Sequence, residues 1–378
     1  MTDAAPRPRL SSALDGCTVV IAVDRRAGEL TAALERHGAA VRQAPALTII
    51  PHIDDEALLH ATRELIASPP DVVVATTGVG FRGWMEAAHE AGLADELGHA
   101  FSGAQIVARG PKARGAVQQA GFDVDWVAES ETARELGEYL LAEGVADKRI
   151  AVQHHGSGSD GLDELFRERG ADVVSLTVYR WGPPADPLVV RQSVLATAAG
   201  EVDAVLFTSA PGASEWLAEA QRAGVLHEIR ERADRDRLLM AAVGPITVQP
   251  LHDVGIPALV AERGRLGSLV RGVVAHFGGG EAPGLDTPRG RLEMRSAGAV
   301  LEGVFLPLSP TGTAVLGALF DAGGAVIPRR DLQDSLPRSS QSTHAVEMAV
   351  ARLREALGFP DLITTVVKRG YRLTVKDI

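Results

Sequence analysis

Arg352 and Arg354 close the run Ala345-Val346-Glu347-Met348-Ala349-Val350-Ala351-Arg352-Leu353-Arg354, and their chemistry depends on its spacing. Val346, Val350, Leu353 and Leu357 recur at helical intervals and make one apolar stripe. His344, Met348, Ala351 and Arg352 fall on the opposite face, with Thr343 and Arg354 nearer its edges. Such a helix is held down by its stripe while its outer face enters a major groove, where an arginine makes two bonds to a guanine edge. Beyond it, strands are expected at 363–367 and 371–375 about a Lys368-Arg369-Gly370 turn. A hairpin tipped with two cations lies along phosphates or in a minor groove. Upstream, Ser309 before Pro310 is a helix start, a hydroxyl cap followed by a proline whose missing N–H costs nothing there. That helix runs through Val315, Leu316, Leu319 and Phe320 to Gly323-Gly324, and a short one follows from Arg330 to Leu336. The same residues would serve a docking module with a solvated basic rim. The order of elements favours a reader of double-stranded DNA through Thr343, His344, Arg352, Arg354, Lys368 and Arg369.

A second set of chemically capable residues lies in the first 280 positions. Asp71-Val72-Val73-Val74-Ala75-Thr76-Thr77 returns as Asp203-Ala204-Val205-Leu206-Phe207-Thr208-Ser209, and each copy opens a helix carrying a tryptophan, Trp84 or Trp216, at the same offset. Ile106-Val107-Ala108-Arg109-Gly110-Pro111 returns as Met240-Ala241-Ala242-Val243-Gly244-Pro245. Strands alternating with helices predict parallel sheets, and the duplicated pattern predicts two similar α/β domains. Ligands of open α/β sheets bind beyond the carboxyl ends of the strands. That rule gathers Arg25, Thr77, Arg109, Lys112, His154, His155, Ser209 and Thr247 around one cleft, where arginines and helix N-termini suit a polyanion. A strand-end hydroxyl also caps a helix, and His154-His155 serve equally as loop residues or as ligand contacts. No third ligand stands at a metal-binding spacing from them, so a metal is not expected.

These elements divide the chain. The body is expected at 14–280, with lobe 1 at 14–47 and 178–280 and lobe 2 inserted at 48–177. Gly278 to Pro288 reads as a flexible tether containing a linker at 281–288, and the reader occupies 289–378. The net charge of −11 conceals a division: 289–378 holds 12 basic and 9 acidic residues, leaving the rest at −14. An acidic body is not a nucleic-acid surface. The single cysteine, Cys17, excludes an intrachain disulfide and is expected as a buried thiol. No apolar run reaches membrane-spanning length and Met1–Ser12 lacks a signal peptide's apolar core, so a cytoplasmic location without membrane contact is expected.

Residues 290–378 resemble the OmpR/PhoB type of winged-helix domain, most specifically at Gly370-Tyr371-Arg372-Leu373. The resemblance implies a small antiparallel sheet at 292–295, 299–302 and 304–308, Arg352 as base reader and Arg354 as a phosphate contact. Ala349, Ala351 and Gly312 depart from the usual His, Arg and acidic residue. Fewer phosphate contacts would weaken binding and flatten its salt dependence.

Residues 14–280 resemble uroporphyrinogen-III synthase, on the hydroxyl-ended strands, the two Gly-Pro loops and Val178-Tyr179-Arg180. This implies a cofactor-free cyclisation of hydroxymethylbilane in tetrapyrrole biosynthesis, a substrate with eight carboxylates, and Tyr179 as the catalytic residue. Ala113 stands where the loop usually has threonine, and His154-His155 replace an aliphatic–arginine pair. Asp24 is not one of an acidic pair, so control by aspartyl phosphate is not expected. The whole layout resembles actinobacterial regulators of nitrate and nitrite assimilation. The leading expectation is a transcriptional regulator whose body senses a tetrapyrrole-like anion or docks another regulator, acting as a homo-oligomer on DNA. The alternative is an active synthase with an appended DNA-binding domain, its activity weakened or lost at the departures.

Overall fold

The chain is described by a computed structural model over residues 9–23, 26–51, 56–154, 160–262, 264–336 and 342–376. It forms two compact units, one of Thr48–Pro183 and one of Met1–Leu47 with Pro184–Ile378. In chain order, β1 (Thr18–Ile21) and β2 (Ala40–Gln43) precede the crossing strand β3 (Thr48–Pro51). Next come β4 (Val72–Ala75), β5 (Gln105–Ala108), β6 (Trp126–Val127), β7 (Arg149–His154) and β8 (Asp172–Thr177). The chain returns through β9 (Tyr179–Gly182) and adds β10 (Ala204–Phe207), β11 (Leu239–Ala242) and β12 (Leu259–Val260).

Each unit has a parallel five-stranded sheet, ordered β12-β11-β10-β1-β2 in one and β6-β5-β4-β7-β8 in the other. The two orders match strand for strand. The first sheet therefore begins with its last two strands and is completed only after the insertion. β1, β4 and β10 are buried at every position, as strands covered on both faces must be, and so read as unbroken apolar runs. β3 pairs antiparallel with β9, setting Pro51 opposite Tyr179. That pairing moves the return crossing to 183–184 from the expected 177–178 and assigns Tyr179 to the inserted unit.

The repeat extends to side-chain hydrogen bonds. Trp84 Nε1 donates to Thr62 Oγ1 at 3.0 Å, and Thr62 Oγ1 donates to the Leu58 carbonyl at 2.7 Å. Trp216 Nε1 donates likewise to Ser193 Oγ at 2.9 Å, which donates to the Val190 carbonyl at 2.7 Å. Both indoles are fully buried, so each buried N–H needs such a partner. Asp71 and Asp203 match as well: each carboxylate accepts the first N–H of the neighbouring strand, Arg149 or Thr18, at 2.7 Å.

The C-terminal region opens with an antiparallel sheet of β13 (Gly284–Thr287), β14 (Gly290–Arg295), β15 (Gly298–Leu301) and β16 (Val304–Pro307) in sequence order. Helices Pro310–Asp321, Arg329–Gln333 and Thr343–Leu357 follow, then the hairpin of β17 (Ile363–Val366) and β18 (Gly370–Leu373). This is a winged helix. Val346, Val350, Leu353 and Leu357, the expected stripe, pack into its core with Leu292, Val315 and Leu319.

The expected flexible tether is corrected in its second half, because β13 pairs with β14 from Gly284 to Thr287. The winged helix is also docked on the first sheet. Ser296, in the β14–β15 turn, donates its N–H to Asp203 Oδ1 at 2.8 Å and its hydroxyl to Asp203 Oδ2 at 2.5 Å. Ala297 N–H donates to the Gly16 carbonyl at 3.1 Å. Arg295 is 3% exposed; it donates to the Phe277 carbonyl at 3.0 Å and to Glu293 at 2.7 Å. Arg237 pairs with Asp321 at 2.9 Å and lies over the Phe320 ring. Cys17 is the expected buried free thiol. No helix among the described residues is long and apolar enough to cross a membrane.

Candidate functional site

In the inserted unit, β4 ends at Thr76-Thr77 and the helix Gly78–Glu90 begins. Thr77 is extended at φ −141° and caps that helix, its hydroxyl accepting from Gly80 N–H at 3.1 Å. Gln153, fully buried at the end of β7, accepts the Thr77 N–H at 3.2 Å. A side chain at Gly78 would strike the Lys112 carbonyl, so glycine there permits the close approach of two helix N-termini. Lys112 is exposed in the first turn of the helix Pro111–Gln119.

Arg109 follows β5 and is largely buried. Burial pushes its pKa down, opposed chiefly by the negative charge of Asp160 and also by that of Glu131. Tyr179 is 6% exposed and packs edge-on against Trp181. His154 is 2% exposed at the end of β7, its Nε2 at 2.7 Å from Asp163 Oδ1 and its Nδ1 at 3.7 Å from Asp160 Oδ1. Asp163 also accepts from the Ser175 hydroxyl. Burial disfavours its charge, yet the bonds from His154 and Ser175 hold its carboxyl below the ordinary range. The His154 Nδ1 and both Asp160 oxygens have no hydrogen-bond partner among the described residues.

Thr77, Arg109, Lys112 and His154 thus lie at the carboxyl edge of the five-stranded sheet of the inserted unit, and Tyr179 opens β9 just after β8 leaves that sheet. Ser209 and Thr247 belong to the other unit. Ser209 caps the helix Ala210–Arg222 by accepting from Gly212 N–H at 3.2 Å, and Thr247 is 7% exposed in the helix Pro245–Asp253. Arg25 and His155 lie outside the described residues. Asp160 and Asp163 were not legible as partners of His154, because nothing in their spacing points back to a strand end. Among the described residues, no group of three or more His, Cys, Asp or Glu is placed to hold a metal ion.

In the winged helix, Ser342 caps Thr343–Leu357 by accepting from Ala345 N–H at 3.1 Å. His344, Met348, Ala351 and Arg352 are exposed. Arg352 makes no ion pair or hydrogen bond among the described residues. Arg354, expected at a phosphate, is instead drawn into the fold. Its Nε and Nη2 donate to the Ile363 carbonyl at 2.9 and 2.5 Å, Nη2 also donates to Thr365 Oγ1 at 2.9 Å, and the guanidinium lies over Tyr371. It clamps the hairpin to the helix. Lys368 takes φ 60° at the hairpin tip, where Val367, Lys368 and Arg369 are exposed. Gly370 takes φ 144° and touches the Ile327 backbone so closely that any Cβ would collide with its carbonyl, which explains the glycine of Gly370-Tyr371-Arg372-Leu373.

Residues 28–271 match the family "Uroporphyrinogen-III synthase HemD", and residues 303–373 match "Transcriptional regulatory protein, C terminal". The crystal structure of a mutant uroporphyrinogen III synthase from the extremely thermophilic bacterium Thermus thermophilus is 30% identical, covers 68% of this chain and 97% of its own, and gives a TM-score of 0.57. The uncharacterized protein YjjA of Bacillus subtilis (strain 168) is 28% identical over 262 residues, 69% of this chain and 96% of its own length. A putative uroporphyrinogen-III synthase from Methanothermobacter thermautotrophicus is 29% identical over 171 residues, 45% of this chain and 65% of its own.

Proposed function

The chain belongs to the uroporphyrinogen-III synthase HemD family, and from that premise we propose that it is a DNA-binding transcriptional regulator whose synthase fold serves as a sensing or docking body. The observation that carries this reading is the helix Thr343–Leu357, whose apolar stripe is buried while Arg352 stands exposed without a partner among the described residues. The match of 303–373 to a transcriptional-regulator domain supports it independently. In this reading Arg352 contacts a base edge, His344 and Thr343 flank it, and Lys368 with Arg369 touch phosphates. Arg354 serves by aligning the hairpin. The regulator works in the cytoplasm as a homo-oligomer on paired half-sites, at promoters of nitrogen assimilation. Footprinting of the full chain on genomic fragments tests this, with Arg352→Ala expected to weaken the specific site and leave random DNA nearly unchanged. Equal loss on both would make Arg352 a phosphate contact, and no protected site at all would sink the regulator reading.

A second reading, an active synthase, is favoured by one observation: Arg109 and Lys112 lie past the carboxyl end of β5 in the inserted unit, and Tyr179 follows the end of β8 in the same sheet. In that reading Thr77, Arg109, Lys112 and His154 of the inserted unit hold carboxylates of hydroxymethylbilane. Feeding that substrate to purified protein and resolving isomers I and III decides it. Little isomer III is expected, because Ala113 offers no hydroxyl and His154 is engaged by Asp163.

A further inference from the structure

A cavity of about 510 Å³ lies where the winged helix docks on the first sheet, within the roughly 300–1,000 Å³ usual for small-molecule sites. Arg232, Arg237 and His276 line it from the body, and Arg295, Thr313 and Phe320 from the winged helix. Three of these residues carry a buried polar atom with no hydrogen-bond partner among the described residues: Arg232 Nε, Arg295 Nε and Thr313 Oγ1. A buried donor left unpaired costs free energy comparable to a lost hydrogen bond. Three such orphans around one cavity point to a polar occupant.

The charges around the cavity fix the sign of that occupant. Asp203 is saturated by donors from Thr18 and Ser296. Asp321 pairs with Arg237 at 2.9 Å, Glu201 faces Arg42 at 3.7 Å, and Asp236 is exposed. Arg295 has Glu293 at 2.7 Å. Arg232 alone among the lining arginines has no carboxylate of the described residues within ion-pair distance. Among the described residues its guanidinium makes one hydrogen bond, from Nη2 to the Arg237 carbonyl at 3.1 Å. Burial, and next the charge of Arg237, push its pKa down, against the more distant charges of Asp203 and Asp321.

We propose that this cavity binds a small organic anion through Arg232, and that the bound anion fastens the winged helix to the body. A ligand touching both walls binds only the docked arrangement and therefore favours it. Its chemical class is a compact polycarboxylate whose remaining atoms lie against Phe320 and accept from Arg295 or Thr313. The cavity is distinct from the strand-end residues discussed above, none of which lines it.

Citrate and inorganic phosphate, titrated separately into the full chain by calorimetry, are the probes. Saturable citrate binding is expected, weakened at least tenfold in Arg232→Met and measurably in Thr313→Val, and unchanged in the surface control Arg134→Met. Citrate should also slow amide exchange at Ser296 and Ala297, whose N–H groups donate across the junction. Absence of citrate binding, equal affinity in Arg232→Met with its fold intact by circular dichroism, or phosphate binding without citrate binding would each overturn the site. Binding without a change in exchange would overturn the fastening. No DNA enters these measurements, so their failure is separable from failure of the regulator reading.

Discussion

Asp71 and Asp203 hold equivalent places in two sheets of identical strand order, and each ties down the first residue of a neighbouring strand at 2.7 Å. Among the described residues the exposed Asp71 carboxylate accepts that N–H alone, whereas Asp203 is 7% exposed and its carboxylate accepts two further bonds from Ser296. Burial raises the Asp203 pKa, against the pull of its donors. The same latch stands in both copies, and in one of them it also holds the winged helix. Duplicated folds carry spare hydrogen-bond acceptors at their strand starts, and an appended domain can engage one without altering the sheet.

The largest expected effect separates these two aspartates. Asp203→Ala should cost the first unit about 3 kcal/mol, since it strands several buried donors, whereas Asp71→Ala should cost about 1 kcal/mol or less. Urea transitions followed separately for the two units check this, and equal costs would dissolve the distinction. The arginines of the winged helix make a second contrast. Arg352→Ala should lose about 1–3 kcal/mol of specific DNA affinity with unchanged melting. Arg354→Ala should instead lower the melting temperature of the winged helix, by about 1–2 kcal/mol of stability, because it leaves the Ile363 carbonyl without its donors. The tryptophans should not differ. Trp84→Phe and Trp216→Phe each lose one buried N–H bond, and their costs should agree within about 1 kcal/mol.

The smallest effect concerns pH. Asp163 has a lowered pKa, so its contribution is present above the ordinary carboxylate value of about 3.9 and is lost as pH falls through the lowered one. Asp203 has a raised pKa, so its folded state holds a proton more tightly. Stability from Asp203 is greatest below about 3.9 and declines as pH rises through the raised value. Acidification should weaken the inserted unit through Asp163 and firm the other through Asp203. Asp163→Asn and Asp203→Asn should each flatten the corresponding slope in stability measured across that range.

The two parallel sheets were legible because their strands are buried on both faces, so the repeat survives as apolar runs such as 72–75 and 204–207. The recognition stripe was legible because a helix that packs on one side spaces its leucines and valines regularly. The docking was not. Ser296 sits in a turn without periodicity, and Asp203 is 93 residues away from it. Glycines and prolines at 278–288 read as a tether by composition, while the strand pairing of Leu285 with Leu292 depends on a partner that composition ignores. Arg354 escaped for a related reason: its position matched an outward face, but the Ile363 carbonyl and Tyr371 lay close enough to capture it. The strand-end hydroxyls Thr77 and Ser209 were legible as helix caps, whereas Asp160 and Asp163 became visible only through His154.

The permuted strand order also sets the timetable by which the chain can assemble during synthesis. The inserted unit is contiguous from Thr48 to Pro183 and can close as soon as it leaves the ribosome. β1 and β2 are made earlier, yet β10, the parallel partner of β1, begins only at Ala204. At roughly 5–20 residues per second of translation, the apolar segment Thr18–Ile21 stays without that neighbour for about 10–40 s. Thr18–Ile21 therefore waits for its partner through the making of the whole inserted unit, and Asp203, just before β10, accepts the Thr18 N–H when it arrives.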